Sequence, residues 1–299
     1  MMSRAWLVFG LLAGCFSNAP QVGQTASDGS STGSGGSGSS SGGTGTGDSS
    51  TGTTAASSDE GTADGSTGGP TPPQVGTIYM KAVVNAQSKS TWLAAFGGPP
   101  EGCELTGGAG ECATFSCGPM PPMVPDAGPI EYAINGSWQP APLTPDSGGH
   151  YPVETLETLP FSEGDMMVGF RAPGNGVPEF MVQLSPPPAL TVQQAGNEIH
   201  TGAPMGFSLT WTAGASGDTA VLRLRQQGVM LYCSVPAESG ALTVTPPSYA
   251  DLGSGEVAYE LTIEHDAPVT AGGWNVTATL ALAAQSSDNT PVAGTFMLP

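Results

Sequence analysis

Apolar and polar residues alternate along much of the C-terminal half of the chain, with the period of two that is typical of a half-buried β-strand. In the clearest example, Val257, Tyr259, Leu261 and Ile263 share one parity, while polar and small residues take the other. Residues 207–211, 220–225 and 274–282 repeat the pattern. The sequence therefore predicts antiparallel strands in these four segments.

Turn signals separate the predicted strands. Asn175-Gly176, within Pro-Gly-Asn-Gly-Val-Pro, lies between the predicted strands 166–172 and 179–184, and Asn135-Gly136 precedes Trp138. Such dipeptides are typical of β-hairpins because both residues tolerate a positive φ. Helical patterns are short, with a turn or two predicted in residues 153–159 and about one turn in residues 248–252.

These patterns predict an all-β fold of one or two Ig-like antiparallel β-sandwich modules. The stiff stretch Ser185-Pro-Pro-Pro188 is suited to a boundary between two modules, residues 75–187 and residues 188–299. It is equally suited to a proline-blunted edge within one larger sandwich. Both interpretations stay open at the level of sequence.

The N-terminal residues have the order of an export signal. Arg4 precedes an apolar run over residues 5–12, which is too short to span a bilayer. Leu12, Ala13, Gly14 and Cys15 resemble the lipobox of bacterial lipoproteins. The resemblance implies that residues 1–14 are a signal peptide and that Cys15 becomes the acylated first residue. Phe16, in place of an aspartate, favours the outer membrane.

A tether is predicted over residues 15–74. Of the 45 residues from 25 to 69, 36 are Gly, Ser or Thr and nine are Ala, Asp or Glu. Without larger apolar side chains to bury, such a segment does not offset its conformational entropy. As a flexible coil, residues 16–74 have a root-mean-square end-to-end distance of about 40 to 46 Å. Motif-like strings within the tether, such as Gly-x-Gly-x-x-Gly, follow from this composition.

The remaining chain is strongly acidic. Residues 75–299 contain five basic residues against twenty acidic ones, within a formal net charge of −19 for the whole chain. A surface of that sign disfavours nucleic acid and anionic lipid as partners. Solubility and self-repulsion are the simplest meaning of the acidity, and no calcium-loop spacing is present.

A family resemblance covers most of the chain. The run WTAGASGDTAVLRLRQQGVMLYCSVPAESGALTVTPPSYADL, residues 211–252, resembles a pattern in uncharacterised predicted lipoproteins of myxobacteria and their relatives. The upstream elements GECATFSC and FSEGDMMVGFRAPGNGVPEF are similar to that group as well. The resemblance implies a lipid-anchored, β-rich protein of the cell envelope, periplasmic or surface-exposed. It supplies no catalytic or ligand-binding residue.

Four cysteines besides Cys15 suit a protein that folds in an oxidising compartment. If residues 111–117 form a strand, Cys112 and Cys117 point to opposite faces about 16 Å apart, beyond the roughly 7 Å limit for a bridge. Cys103 is therefore expected to pair with Cys112 or with Cys117. Cys233 shares parity with apolar neighbours and is predicted to be a free thiol in the core, with a bridge to the first module as the alternative.

Catalytic motifs are sparse. His150, His200 and His265 are far apart and lie near turn-forming residues, and neither a nucleophile elbow nor a metalloprotease helix is present. The cysteine spacing lacks a Cys-x-x-Cys knuckle for zinc. The sequence therefore predicts a protein without catalytic residues, metal or cofactor, and a secreted hydrolase is a remote alternative.

Two binding sites are candidates. Trp138 offers a flat aromatic face for a glycan, although it shares parity with Tyr132 and Ile134 and would then belong to the core. The run CGPMPPM, residues 117–123, groups thiol and thioether ligands of the kind that Cu(I) prefers, although methionines in such loops usually fill space. The expected partners are thus the membrane, through the lipid, and a glycan or surface protein.

Overall fold

The structure is a computed structural model that describes residues 74–84, 89–97, 103–119, 122–156, 158–162, 167–194, 206–212 and 214–298. The predicted signal peptide, the lipobox with Cys15, and all but the last residue of the predicted tether lie outside these ranges. That last residue, Gln74, begins the first strand. The regular secondary structure in these ranges consists of β-strands and two short 3₁₀ turns, at Ala237–Ser239 and Pro246–Tyr249.

Sixteen strands form within these ranges. They are β1 (Gln74–Ala82), β2 (Ser90–Phe96), β3 (Cys103–Ala109), β4 (Cys112–Cys117), β5 (Glu131–Ile134), β6 (Ser137–Trp138), β7 (Glu154–Leu156), β8 (Val168–Ala172), β9 (Phe180–Leu184), β10 (Phe207–Thr210), β11 (Thr219–Gln226), β12 (Val229–Pro236), β13 (Ala241–Val244), β14 (Gly255–Ala271), β15 (Trp274–Ala283) and β16 (Ala293–Leu298). The all-β prediction is confirmed.

A ten-stranded main sheet carries the fold. Nine of its strands follow the order β3-β4-β12-β11-β14-β15-β1-β2-β7, and β16 pairs with β14 beside that path. Neighbours are antiparallel except β1 and β15, which run parallel over nine residue pairs from Gln74 opposite Trp274 to Ala82 opposite Leu282. The first strand of the body is therefore held in the interior of the sheet by one of the last.

Strand β14 is the longest element of the main sheet, with 17 residues. One of its edges pairs with β11. Its other edge pairs first with β16, from Gly255 to Glu260, and then with β15, from Thr262 to Ala271. A single strand thus joins the two halves of the sheet.

Two smaller sheets cover the inner face of the main sheet. One has the order β6-β5-β8-β9 and the other pairs β10 with β13. Aromatic rings join the first small sheet to the main sheet: Trp92 meets Tyr132 edge-on with centroids 4.7 Å apart, and Phe96 lies 6.2 Å from Phe180. Apolar side chains from all three sheets form one continuous core. The result is a β-sandwich with a shared main layer.

Strand pairing crosses the predicted boundary at residue 187. Strands β1 and β4 come from the first predicted module, yet they hydrogen-bond to β15 and β12 of the second. Pro186 and Pro187 are buried, and the chain beyond them continues across the same core through Leu190 and Val192. The prolines therefore lie in a buried crossing over this shared core, and not at a sheet edge.

Local predictions mostly match the structure. The four alternating segments correspond to β10, β11, β14 and β15, and both predicted hairpins form, between β5 and β6 and between β8 and β9. The predicted helical turn in residues 153–159 is wrong, because Glu154–Leu156 instead pairs with the edge of β2. Edge pairing there outweighs a weak helical pattern.

In the part of the chain that the structure describes, two disulfides connect neighbouring strands. Cys103 is bonded to Cys117, directly opposite in the β3–β4 hairpin, and Cys112 is bonded to Cys233, directly opposite in β4 and β12. The expectation of a free Cys233 is therefore wrong. Its inward parity does place it in the core, but Cys112 reaches the same core from the adjacent strand.

The two disulfides should differ in what they contribute to stability. In the chain-entropy relation, a closed loop of 121 residues stabilises by about 5 kcal/mol and one of 14 residues by about 3 kcal/mol. We expect C112A/C233A to lose more free energy of unfolding than C103A/C117A in urea denaturation. An equal or reversed order of the two losses would contradict this expectation.

Candidate binding face

The outer surface of the four-stranded sheet presents an exposed group of mixed chemistry, called the tryptophan face below. Its exposed or half-buried members are Glu131, Trp138, Met167, Arg171 and Met181, and it also includes the buried Ala133 and Gly169. Directly paired residues of neighbouring strands point to the same side of a sheet. The alternate residues Tyr132, Phe170 and Val182 point the other way, into the core.

Trp138 lies on this outer surface because of the turn that precedes it. Asn135 and Gly136 both have positive φ, 50° and 79°, and form a two-residue hairpin turn that pairs Ile134 with Ser137 and Ala133 with Trp138. Across such a turn, odd and even residue numbers exchange faces of the sheet, so numbering alone assigns the wrong face. Trp138 therefore faces away from Tyr132 and Ile134, and its ring is half-buried and does not belong to the core.

Arg171 organises the tryptophan face. Its guanidinium carbon lies 3.9 Å from the centre of the Trp138 ring, within the range of a cation–π contact. Its Nε donates a hydrogen bond to Oε2 of Glu131, directly opposite on β5. Both charged side chains stay well exposed, at 46% and 37%. The contacts hold the tryptophan ring in one orientation at the surface.

A cleft of about 730 Å³ adjoins Arg171, and Trp138 is not among the residues that line it. It is lined by Pro129, Glu131, Arg171, Ala172, Pro173, Glu179, Phe180 and Met181. Beside it, the paired Ala133 and Gly169 are small and buried, and the side chain of Gln183 lies next to Gly169. The surface thus combines a flat aromatic ring, a fork of N–H donors and two carboxylate acceptors around a shallow recess.

The histidines form no catalytic arrangement with a nucleophile in the described ranges. Nδ1 of His265 lies 2.7 Å from Oδ1 of the buried Asp218. His150 contributes its backbone N–H to Asp146, and the pKa of that carboxyl is lowered by this hydrogen bond and the one from Gly148. His200 lies outside the described residues. Among the residues described, no serine, threonine or cysteine side chain hydrogen-bonds to His150 or His265.

The copper alternative at residues 117–123 is not supported. The thiolate that Cu(I) needs is engaged in the bond from Cys117 to Cys103. Met123 is exposed, and Met120 lies outside the described ranges. Across the described part of the chain, His, Cys, Asp and Glu side chains form no group of three that would hold a metal ion.

Within the same ranges no helix is long and apolar enough to cross a bilayer.

A buried charged network lies on the other surface of the main sheet. Arg223 donates to Oε1 of Glu264 at 2.6 Å and to Oγ1 of Thr262 at 2.9 Å, and the hydroxyl of Tyr79 donates to Glu264 at 3.1 Å. The guanidinium also lies over the rings of Tyr79 and Tyr232. Arg223 and Glu264 are almost fully buried, although their parity on β11 and β14 predicted a solvent-facing surface.

Charge pairing explains how these groups tolerate burial. Burial would lower the pKa of Arg223, but the Glu264 carboxylate raises it overall, so the guanidinium stays charged. Burial raises the pKa of Tyr79 well above its ordinary value. Beside them, Nζ of Lys81 lies 2.5 Å from Oε1 of Glu260. Replacing a buried ion pair with well-packed apolar residues is often neutral for stability, whereas removing one partner is strongly destabilising.

No protein-family model matches the chain, and no curated protein matches it. Several solved structures are similar to parts of it. A tetra-tandem repeat in the extending region of a large adhesion protein shares 14% identity over 75% of this chain and 49% of its own, with a TM-score of 0.21. This chain thus spans about half the length of that structure.

Two further structures have lower scores. The chicken CNTN1 FN1–FN3 domains share 12% identity over 62% of this chain and 66% of theirs, with a TM-score of 0.16. A structure described for host cell surface retention of a 1.5-MDa bacterial ice-binding adhesin shares 14% identity over 72% of this chain and 65% of its own, also at 0.16. At these TM-scores the likeness identifies neither a shared fold nor a shared activity.

The Lys81–Glu260 pair generates a prediction about acid stability. Burial alone would raise the pKa of Glu260, but Lys81 holds it below its ordinary value. The stabilisation by the Lys81–Glu260 pair is therefore complete above the ordinary glutamate pKa of about 4.3. It is lost as the pH falls through the lower pKa that Glu260 has in the folded protein. We expect E260Q to lose about 2 kcal/mol at pH 7, because Lys81 keeps only a neutral partner.

Urea unfolding between roughly pH 3 and pH 7 measures this difference. The gap between E260Q and the wild type should shrink at the acid end. E256Q is the matched control, since Glu256 lies on the same strand and is exposed. A gap that stays constant with pH would show that the carboxylate charge of Glu260 is not the cause.

Proposed function

We propose that the chain is a cell-envelope lipoprotein, held to the outer membrane by acyl groups on Cys15, that binds glycans through the tryptophan face. The binding is non-catalytic. The observation that carries the proposal is the orientation of Trp138, a large aromatic ring fixed by Arg171 on the solvent side of the sheet. A structural tryptophan of the kind seen at Trp211 and Trp274 would instead be buried.

The lipid anchor is supported by the order of the N-terminal features. A basic residue, an apolar run, the lipobox ending at Cys15 and a Gly/Ser/Thr-rich segment follow one another. The two disulfides agree with this placement, because disulfides persist in oxidising compartments outside the cytoplasm. Acylation by two or more chains suffices for lasting attachment.

Sugar recognition is supported by the chemistry of the tryptophan face. An indole ring offers an apolar surface on which the C–H groups of a sugar ring stack. Arg171 has N–H donors besides the Nε that binds Glu131, and the carboxylates of Glu131 and Glu179 accept from hydroxyl groups. Since the chain is strongly acidic, the favoured ligand is an uncharged glycan.

A surface protein is the second candidate ligand. Met167 and Met181 are 40% and 54% exposed on the same face. Exposed methionines suit adaptable protein contacts because their side chains are flexible and polarisable.

Acylation of Cys15 is testable by metabolic labelling. Cells that express the wild type should incorporate radioactive palmitate into this protein, and C15A should incorporate none, because the acceptor sulfur is missing. Fractionation should move C15A from the membrane to the soluble fraction. Label retained in C15A, or absent from the wild type, would contradict the anchor.

Glycan binding is testable with the full chain carrying C15A on an array of neutral and acidic glycans. We expect neutral glycans to bind, and W138A to weaken that binding about tenfold, the equivalent of one aromatic contact of about 1.4 kcal/mol. R171A should also weaken binding, because the ring loses the contact that orients it.

M297A is the control for this experiment, since Met297 is 67% exposed on β16 in the main sheet. Its binding should equal that of the unsubstituted protein. Binding that survives W138A and R171A would remove the tryptophan face from the proposal. Hydrolysis of a bound glycan would overturn the non-catalytic assignment.

A further inference from the structure

The two disulfides of the body are interlaced along the chain. Cys103 pairs with Cys117 and Cys112 pairs with Cys233, so the first bond encloses one partner of the second. We propose that correct folding of this chain depends on a second protein, a thiol–disulfide isomerase, in the compartment where the body folds. This inference is independent of the glycan proposal.

Loop closure in the unfolded chain favours the wrong bonds. Cys112 lies nine residues after Cys103 and five before Cys117, whereas its native partner is 121 residues away. Because the probability of closure falls with about the 3/2 power of loop length, the Cys103–Cys112 contact is about 50-fold more probable than the Cys112–Cys233 contact. Cys112 therefore forms a disulfide with Cys103 or Cys117 before β12 pairs with β4.

Neither short bond is compatible with the native hairpin. Cys103 lies opposite Cys117, while Cys112 lies opposite Ala109 at the other end of β4. Cys112 and Cys117 are five residue steps apart on β4, which places Cys112 about 16 Å from either of the other two cysteines. A disulfide needs Cα atoms within roughly 7 Å. A chain with either short bond must break it before β3 and β4 can pair.

Burial limits when the exchange can occur. Cys112 and Cys233 are 4% and 0% exposed, and they belong to the continuous core. Once the core has formed, a catalyst's thiolate has no access to this pair. The rearrangement must therefore precede core packing, which makes its rate decisive for the yield of folded protein.

The exchange needs no net oxidant. A thiolate of the isomerase attacks Cys103 in the Cys103–Cys112 bond, forms a mixed disulfide with Cys103 and releases the Cys112 thiolate. The Cys117 thiolate then attacks Cys103, forms the native bond and returns the isomerase thiolate. Cys112 and Cys233 are joined afterwards by a disulfide oxidant, which accepts their two electrons and two protons and becomes a dithiol.

Oxidative refolding tests the proposal. The full chain carrying C15S retains four thiols and is reduced, denatured and diluted into a thiol-free oxidant, with or without a disulfide isomerase and reduced glutathione. Bonds are trapped by alkylation at successive times and identified by peptide mass mapping. We expect Cys103–Cys112 or Cys112–Cys117 in the earliest species, and a native yield on the order of tenfold higher with the isomerase.

The double variant C112A/C233A, also in the C15S chain, is the control. It retains only Cys103 and Cys117, so the yield of that bond should be the same with and without isomerase. This yield is read from the mass map even if the variant does not fold. Early appearance of Cys112–Cys233, or an equal native yield without isomerase, would overturn the proposal.

Discussion

The parallel pairing of β1 with β15 is the constraint on which the rest of the fold depends. It places the first strand of the body between strands from opposite ends of the sequence, so the main sheet is incomplete until nearly the whole chain is present. The small sheets pack against the surface that this pairing creates, and the core has no boundary at the proline stretch. The tryptophan face is held in place by this arrangement, because the opposite side of its sheet packs into that core.

The two surfaces of the main sheet are stabilised in different ways. The inner surface buries apolar and aromatic side chains against the small sheets, and such burial is the main favourable contribution to folding. The other surface buries charge, with Arg223 and Glu264 paired and Tyr79 bound to the same carboxylate oxygen. Removing one partner there leaves an uncompensated charge, which is much more costly than replacing the whole group with apolar residues.

Sequence reasoning recovered the elements whose cause is local. Alternation located β11, β14 and β15, and asparagine–glycine pairs located two hairpins, because both signals depend on residues close together in the chain. Relations between distant strands were not recoverable. The Cys112–Cys233 bond, the pairing of β1 with β15 and the burial of Arg223 each depend on which strands become neighbours. Trp138 is an intermediate case. The two-residue turn at Asn135-Gly136 pairs Ala133 with Trp138, so recognising that turn in the sequence places Trp138 on the outer surface of the sheet.

The position of Gln74 has a mechanical consequence for a tethered protein. Under the lipid anchor proposed above, a pulling force enters the body at this first residue of an interior strand, and its component along the strand acts on the pairs with both neighbouring strands. The hydrogen bonds from β1 to β15 and to β2 are then loaded together in shear instead of being peeled apart singly. In the proposed lipoprotein, this pairing resists extraction of the first strand under load.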